Sequence, residues 1–67
     1  MHNLRLFREK TGLSQGNMAR RMHISQSFYE KVERGHSKAS RGFMLKLKLA
    51  FPEASIDEIF FSDLGVV

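Results

Sequence analysis

The chain is expected to fold as an all-α domain of five short helices, and three observations carry that expectation. Apolar residues recur at three- and four-residue spacing, and no segment shows the two-residue alternation of a strand. Asn3, Ser14, Ser25 and Ser55 are read as caps just before four of the apolar segments, where a side-chain oxygen can accept from the first unpaired backbone N–H groups of a helix. Gly12, Gly35 and Pro52 follow three of the segments, as helix stops do. Sixty-seven residues make a single domain, 1–67, with 61–67 as a C-terminal tail.

The first segment runs from about Asn3 to Lys10, with Asn3 as cap and Leu4, Phe7 and Leu6 as an apolar stripe. Gly12 ends it by taking positive φ. The second covers Gln15 to Met22 behind Ser14. Met18, Ala19 and Met22 share a face, and Ala19 is small enough for two helices to approach closely. Gly16 weakens its first turn by up to ~1 kcal/mol relative to Ala. The third runs from about Gln26 to Arg34 behind Ser25, with Ile24, Tyr29 and Val32 inward and Gln26, Ser27, Glu30 and Lys31 outward. Phe28 sits between the faces. It either packs beside Met22 and the turn or is left exposed to a ligand, with packing the preferred reading. A polar loop, His36 to Ser40, leads to a fourth helix from Arg41 to Phe51. At about 100° per residue, Phe43, Met44, Leu47, Ala50 and Phe51 fall in one sector, with Leu45 and Leu49 nearly opposite. The last helix, about Ile56 to Phe61, starts behind Ser55 with Glu58 placed for a capping box.

Composition removes several classes of function. There is no cysteine, so neither disulfides nor thiolate metal sites are available. His2, His23 and His36 are far apart in sequence with no carboxylate cluster beside them, so neither metal nor cofactor is expected. No apolar run approaches the ~20 residues of a membrane span. A soluble, cytoplasmic protein is expected. The serines have no base at a catalytic spacing and there is no glycine-rich phosphate loop, so an enzyme is not expected.

Charge is unevenly distributed. All eleven Lys and Arg lie between Arg5 and Lys48 with three acids, for a local charge of +8, while residues 49–67 carry four acids and no base, for −4. A polyanion-facing surface and a separate scaffold or pairing surface would produce this division, although a solvated basic surface would too.

The pair of short helices in QGNMARRMHISQSFYEKVERG, residues 15–35, is preceded by Gly12-Leu13-Ser14 and accompanied by Leu4…Phe7-Arg8 and Ser55-Ile56-Asp57-Glu58-Ile59. In these residues the chain resembles the lambda-repressor-like, Cro/CI or Xre family of helix-turn-helix regulators, from about Asn3 to Phe60. The resemblance implies a compact five-helix fold whose second helix crosses the DNA backbone and whose third enters the major groove. It implies that Gln15 holds a phosphate, that Gln26, Ser27 and Lys31 reach base edges, and that Arg8 and Glu33 form a semi-buried ion pair. The chain departs from the family pattern at His23 in the turn, where Gly is usual, at Ala39, where Pro is frequent, and at Lys48, where a small residue is usual.

The chemistry of the side chains fits these roles. Glutamine donates and accepts at once and so matches the N6/N7 edge of adenine, while lysine donates to O6/N7 of guanine. Ser27 is expected to assist or to touch a phosphate. The candidates for holding phosphates are Ser14, Gln15, Arg34, His36, Lys38, Ser40 and Arg41, at the start of the second helix and in the loop after the third. Arg20 and Arg21 serve either the same role or solubility. Glu30 either accepts from cytosine N4 or pairs with Arg34 four residues on, the pair being preferred. Tyr29 is expected in the core with its hydroxyl bonded. Leu45, Leu49, Phe60, Phe61, Leu64, Val66 and Val67 exceed the needs of one small core. They form either a two-fold dimer surface, centred on Leu45, Leu49, Phe61, Leu64, Val66 and Val67, or a tail folded back on its own domain.

The expected function is therefore sequence-specific binding of double-stranded DNA by a homodimer on a pseudo-palindromic operator. Regulation of transcription, by repression, would follow from occupying promoter DNA. The alternatives are an antitoxin-like or adaptor module whose main partner is another protein, and a non-specific nucleoid binder. No small-molecule ligand or membrane is implied.

Overall fold

A computed structural model describes residues 3–61, and among them the chain forms five helices and no strand. They are α1 (Leu4–Thr11), α2 (Gln15–Met22), α3 (Gln26–Glu33), α4 (Arg41–Ala50) and α5 (Ile56–Phe60). The all-α expectation holds, with helix ends within a residue or so of those expected.

Serine supplies most of the starts. Ser14 Oγ accepts from Asn17 N at 3.1 Å, Ser25 Oγ from Phe28 N at 3.1 Å and Ser55 Oγ from Glu58 N at 3.4 Å. Ser40 joins them, accepting from Phe43 N at 3.1 Å, so its oxygen has a structural task that the sequence reading had not assigned. Asn3 behaves differently. Its side chain makes no capping bond to α1; instead its Nδ2 donates to Glu58 O at 3.2 Å and its backbone N–H donates to Ile59 O at 2.7 Å. The expected cap is thus a clasp between the first and last helices, because the close approach of α5 offers carbonyls that α1 does not.

Helix ends follow the local backbone. Gly12 takes φ 78° after α1. His23 takes φ 59° and ψ 42° after α2, the left-handed conformation that a side chain adopts only at some cost. Its backbone N–H still donates to Arg20 O, and Ile24 N donates to Ala19 O, so both residues of the reversal keep their N–H groups bonded.

The core gathers Leu4, Met18, Ala19, Met22, Tyr29, Val32, Phe43, Leu47, Phe51, Ala54, Ile59 and Phe60. Phe43 of α4 lies at its centre. Phe28 and Phe60 meet it edge-on, with centroids 5.8 and 6.2 Å away, and Tyr29 stacks on it at 6.1 Å. Two expectations need correction. Leu6 stands exposed rather than in the α1 stripe, because Leu4 and Phe7 already fill the face that meets Phe51 and α5. Phe60, expected to be surplus, is buried against Phe43. Phe28 meets Phe43 rather than Met22 and the turn, and it remains 37% exposed, so it is only partly packed.

Lys48, unusual for the resemblance, also finds a local role. Its Nζ donates to Pro52 O and Ala54 O, both at 2.7 Å. It thereby pairs carbonyls in the turn between α4 and α5 that have no helical donor. No helix among the described residues is long and apolar enough to cross a membrane.

Candidate nucleic-acid interface

α3 divides its residues sharply. Tyr29 and Val32 are fully buried, whereas Gln26, Ser27 and Lys31 are exposed. α2 packs against α3 across the tight turn, so the exposed face of α3 is held at a set angle to its neighbour.

One side chain on that face, Gln26, is held in place. Gln26 Nε2 donates to Glu30 Oε2 at 2.8 Å. The other oxygen of Glu30 lies 3.7 Å from Arg34 Nη2, the i,i+4 pair preferred from the sequence. Gln26 also leans over the first turn of α2, where Gly16 leaves room for it: a Cβ at position 16 would stand 2.8 Å from Gln26 Oε1.

Beneath this face Glu33 anchors three elements. Its side chain is only 5% exposed, yet it accepts four hydrogen bonds. Arg8 Nε and Nη2 donate at 2.9 and 3.2 Å, Gln15 Nε2 at 3.0 Å and Tyr29 Oη at 2.7 Å. Arg8 Nη1 additionally donates to Leu13 O at 3.0 Å. Burial pushes the Glu33 carboxyl up, but the bonds from Arg8, Tyr29 and Gln15 outweigh it and hold the carboxyl below the usual range. The bond to Glu33 likewise raises Arg8. Burial, followed by the bond to Glu33, raises the Tyr29 hydroxyl, so it remains a donor. The cluster is therefore a fixed ionic knot joining α1, the start of α2 and the end of α3.

The candidate phosphate-holding residues fall into two groups. Ser14 caps α2 just before Gln15, itself part of the knot, and Gln15, Arg34, Arg5, Arg8 and Glu33 line one shallow concavity. His36, Lys38, Ser40 and Arg41 are exposed along the loop into α4. Gln15 uses one amide hydrogen on Glu33 and keeps the other. Ser14 and Ser40 use an oxygen lone pair in capping and keep their hydroxyl hydrogens. Arg5 was not singled out by the sequence. It pairs at 3.2 Å with Glu9 in the i,i+4 relation, and only packing places it beside Gln15 and Arg34. Arg21 is turned elsewhere, with its guanidinium carbon 5.9 Å from the centroid of the Phe51 ring.

Of the proposed pairing surface, Leu45 and Leu49 are 59% and 72% exposed and Phe61 is 37% exposed. Leu64, Val66 and Val67 lie outside the described residues. Among the described residues, no group of three or more His, Cys, Asp or Glu side chains is gathered in one place.

A family model described as a helix-turn-helix domain matches residues 2–48, from α1 through most of α4. The chain belongs to this helix-turn-helix family, a class of DNA-binding domain that serves transcription regulation. No curated protein and no solved structure matches the chain.

Proposed function

We infer that the protein is a sequence-specific transcriptional regulator of the Cro/CI or Xre kind. It acts as a repressor by covering promoter DNA. The observation that carries this reading is the two-sided α3: Tyr29 and Val32 fully buried, Gln26, Ser27 and Lys31 exposed together, and α2 braced behind them. Inserted in the major groove, this helix offers Gln26 to adenine, Lys31 to guanine and Ser27 to a base edge or a neighbouring phosphate.

Electrostatics separates the arginines that can hold phosphates from the one that cannot. Exposed ion pairs are worth roughly 0–1 kcal/mol. Arg5 and Arg34 can therefore exchange Glu9 and Glu30 for a phosphate at little cost. Arg8 is only 17% exposed and bound to a buried carboxylate, so it stays with Glu33 and positions Gln15. Ser14, Gln15, Arg34, His36, Lys38, Ser40 and Arg41, with Arg5 added, form the backbone-holding set. Leu45 and Leu49, the most exposed of the described residues singled out for pairing, supply a dimer surface. Two-fold pairing would set two recognition helices about 34 Å apart, one turn of the duplex.

Selection of bound sequences from a random duplex pool at near-physiological salt tests this reading. An enriched inverted repeat with half-sites about one helical turn apart is the expected result. Absence of any enriched sequence would refute it and favour a protein partner or non-specific binding.

A further inference from the structure

Gly16 and Glu30 lie on different helices, yet both meet the same amide. We propose that they are specificity-determining positioning residues: together they fix which end of the Gln26 amide faces which way, and so bias the helix toward adenine over guanine. This rests on Gln26 as a base reader.

A carboxylate only accepts hydrogen bonds. At 2.8 Å from Glu30 Oε2, the Gln26 atom must therefore be the nitrogen, since the flipped amide would set two acceptors against each other. The oxygen is then turned over Gly16, where a Cβ would stand 2.8 Å from Oε1 and 3.4 Å from Cδ. Any side chain at position 16 would push the amide out of this seat. Glycine here weakens a helix turn, and the close approach of Gln26 is the structural return for that weakness.

The chemical consequence concerns donors. The Gln26 amide has two hydrogens, and Glu30 takes one. What remains is one N–H and the carbonyl oxygen, the set that adenine N7 and N6 require. Guanine presents two acceptors, O6 and N7, and would need both hydrogens. Glu30 thus removes the donor that guanine recognition needs.

The test uses a duplex recovered from the random pool and its variants at the base position that Gln26→Ala flattens, with binding followed by fluorescence anisotropy. Glu30→Ala removes the acceptor and frees the second donor. It is expected to cut the adenine-over-guanine ratio about threefold or more, a fraction of what a whole bidentate contact confers. Gly16→Ala should fold at least as stably as the original and lose base preference in the same direction. Neither substitution should lower the preference further in a Gln26→Ala background. In the free protein, the Gln26 side-chain amide resonances should move in both variants. Unchanged base ratios in both variants, with Gln26→Ala still flattening the position, would overturn the proposal alone. No effect of Gln26→Ala would overturn the base-reading role and the proposal with it. Unmoved Gln26 amide resonances would overturn it without any DNA.

Discussion

Replacing Arg8 by Met should destabilise the fold severely, because it strands the Glu33 carboxylate. Met keeps the length of the aliphatic stem and removes two of the four hydrogen bonds that reach Glu33. The remaining carboxylate is 5% exposed. Removing one partner of a buried pair costs about 3–5 kcal/mol, and because water reaches Arg8 at its 17% exposed edge, the lower end, about 3 kcal/mol, is expected here. A domain of this size has roughly 3–10 kcal/mol in total, so the variant would be near unfolding. The assay is urea unfolding followed by circular dichroism from neutral pH downward. In the original protein Glu33 is held below its ordinary carboxyl range, so its contribution is present above an unfolded value of about 4.3 and is lost as pH falls through the folded value. In the variant, burial is opposed by Tyr29 and Gln15 alone and should dominate. The folded value then rises, and stability is regained as the carboxyl protonates. The gap between the two proteins should therefore be widest at neutral pH and narrow on acidification. A loss under about 1 kcal/mol at neutral pH, or a gap that holds or widens in acid, would refute the account of Glu33 as a buried, paired anion.

Three further outcomes are expected. His23→Gly relieves a left-handed residue at φ 59°. After allowing for the greater freedom of glycine in the unfolded chain, it should stabilise by up to about 1 kcal/mol, seen as a higher melting temperature. Lys48→Met removes two 2.7 Å bonds to the turn carbonyls. It should cost about 1 kcal/mol in urea unfolding while leaving the affinity for DNA within error. Leu49→Asp, at a residue 72% exposed, should leave the melting temperature nearly unchanged. On the proposed pairing surface, sedimentation should show a dimer for the original and a monomer for the variant, and affinity should fall for an inverted repeat but not for a lone half-site.

Much of the fold was legible because its signals are local. Ser14, Ser25 and Ser55 mark helix starts by chemistry confined to three residues, and the spacing of Met18, Ala19 and Met22 shows which face turns inward. Gly12 announces its own positive φ, and Tyr29 could be assigned to the core together with a need for a hydroxyl partner. The exposed trio Gln26, Ser27 and Lys31 follows from the same periodicity once Tyr29 and Val32 are inward. The misreadings arise where a residue answers to something distant in sequence. Asn3 has the chemistry of a cap but serves α5, fifty-five residues on. Phe60 looked surplus because the place for it beside Phe43 exists only after α4 and α5 have packed.

The residues themselves determined five helices, their punctuation and the polar face of α3, because backbone propensity and the 3.6-residue period act over a few positions. Tertiary structure alone decided which side chains were free to act. Beyond the Arg8–Glu33 pair, which the resemblance implied, it brought Gln15 and Tyr29 onto the same Glu33, set Arg5 beside Arg34, and seated Gln26 between Glu30 and the bare backbone of Gly16. Such arrangements depend on the angle and distance between helices, and those are set by how the core volumes of Ala19, Tyr29 and Phe43 fill the space between them, a quantity that no local stretch of sequence contains.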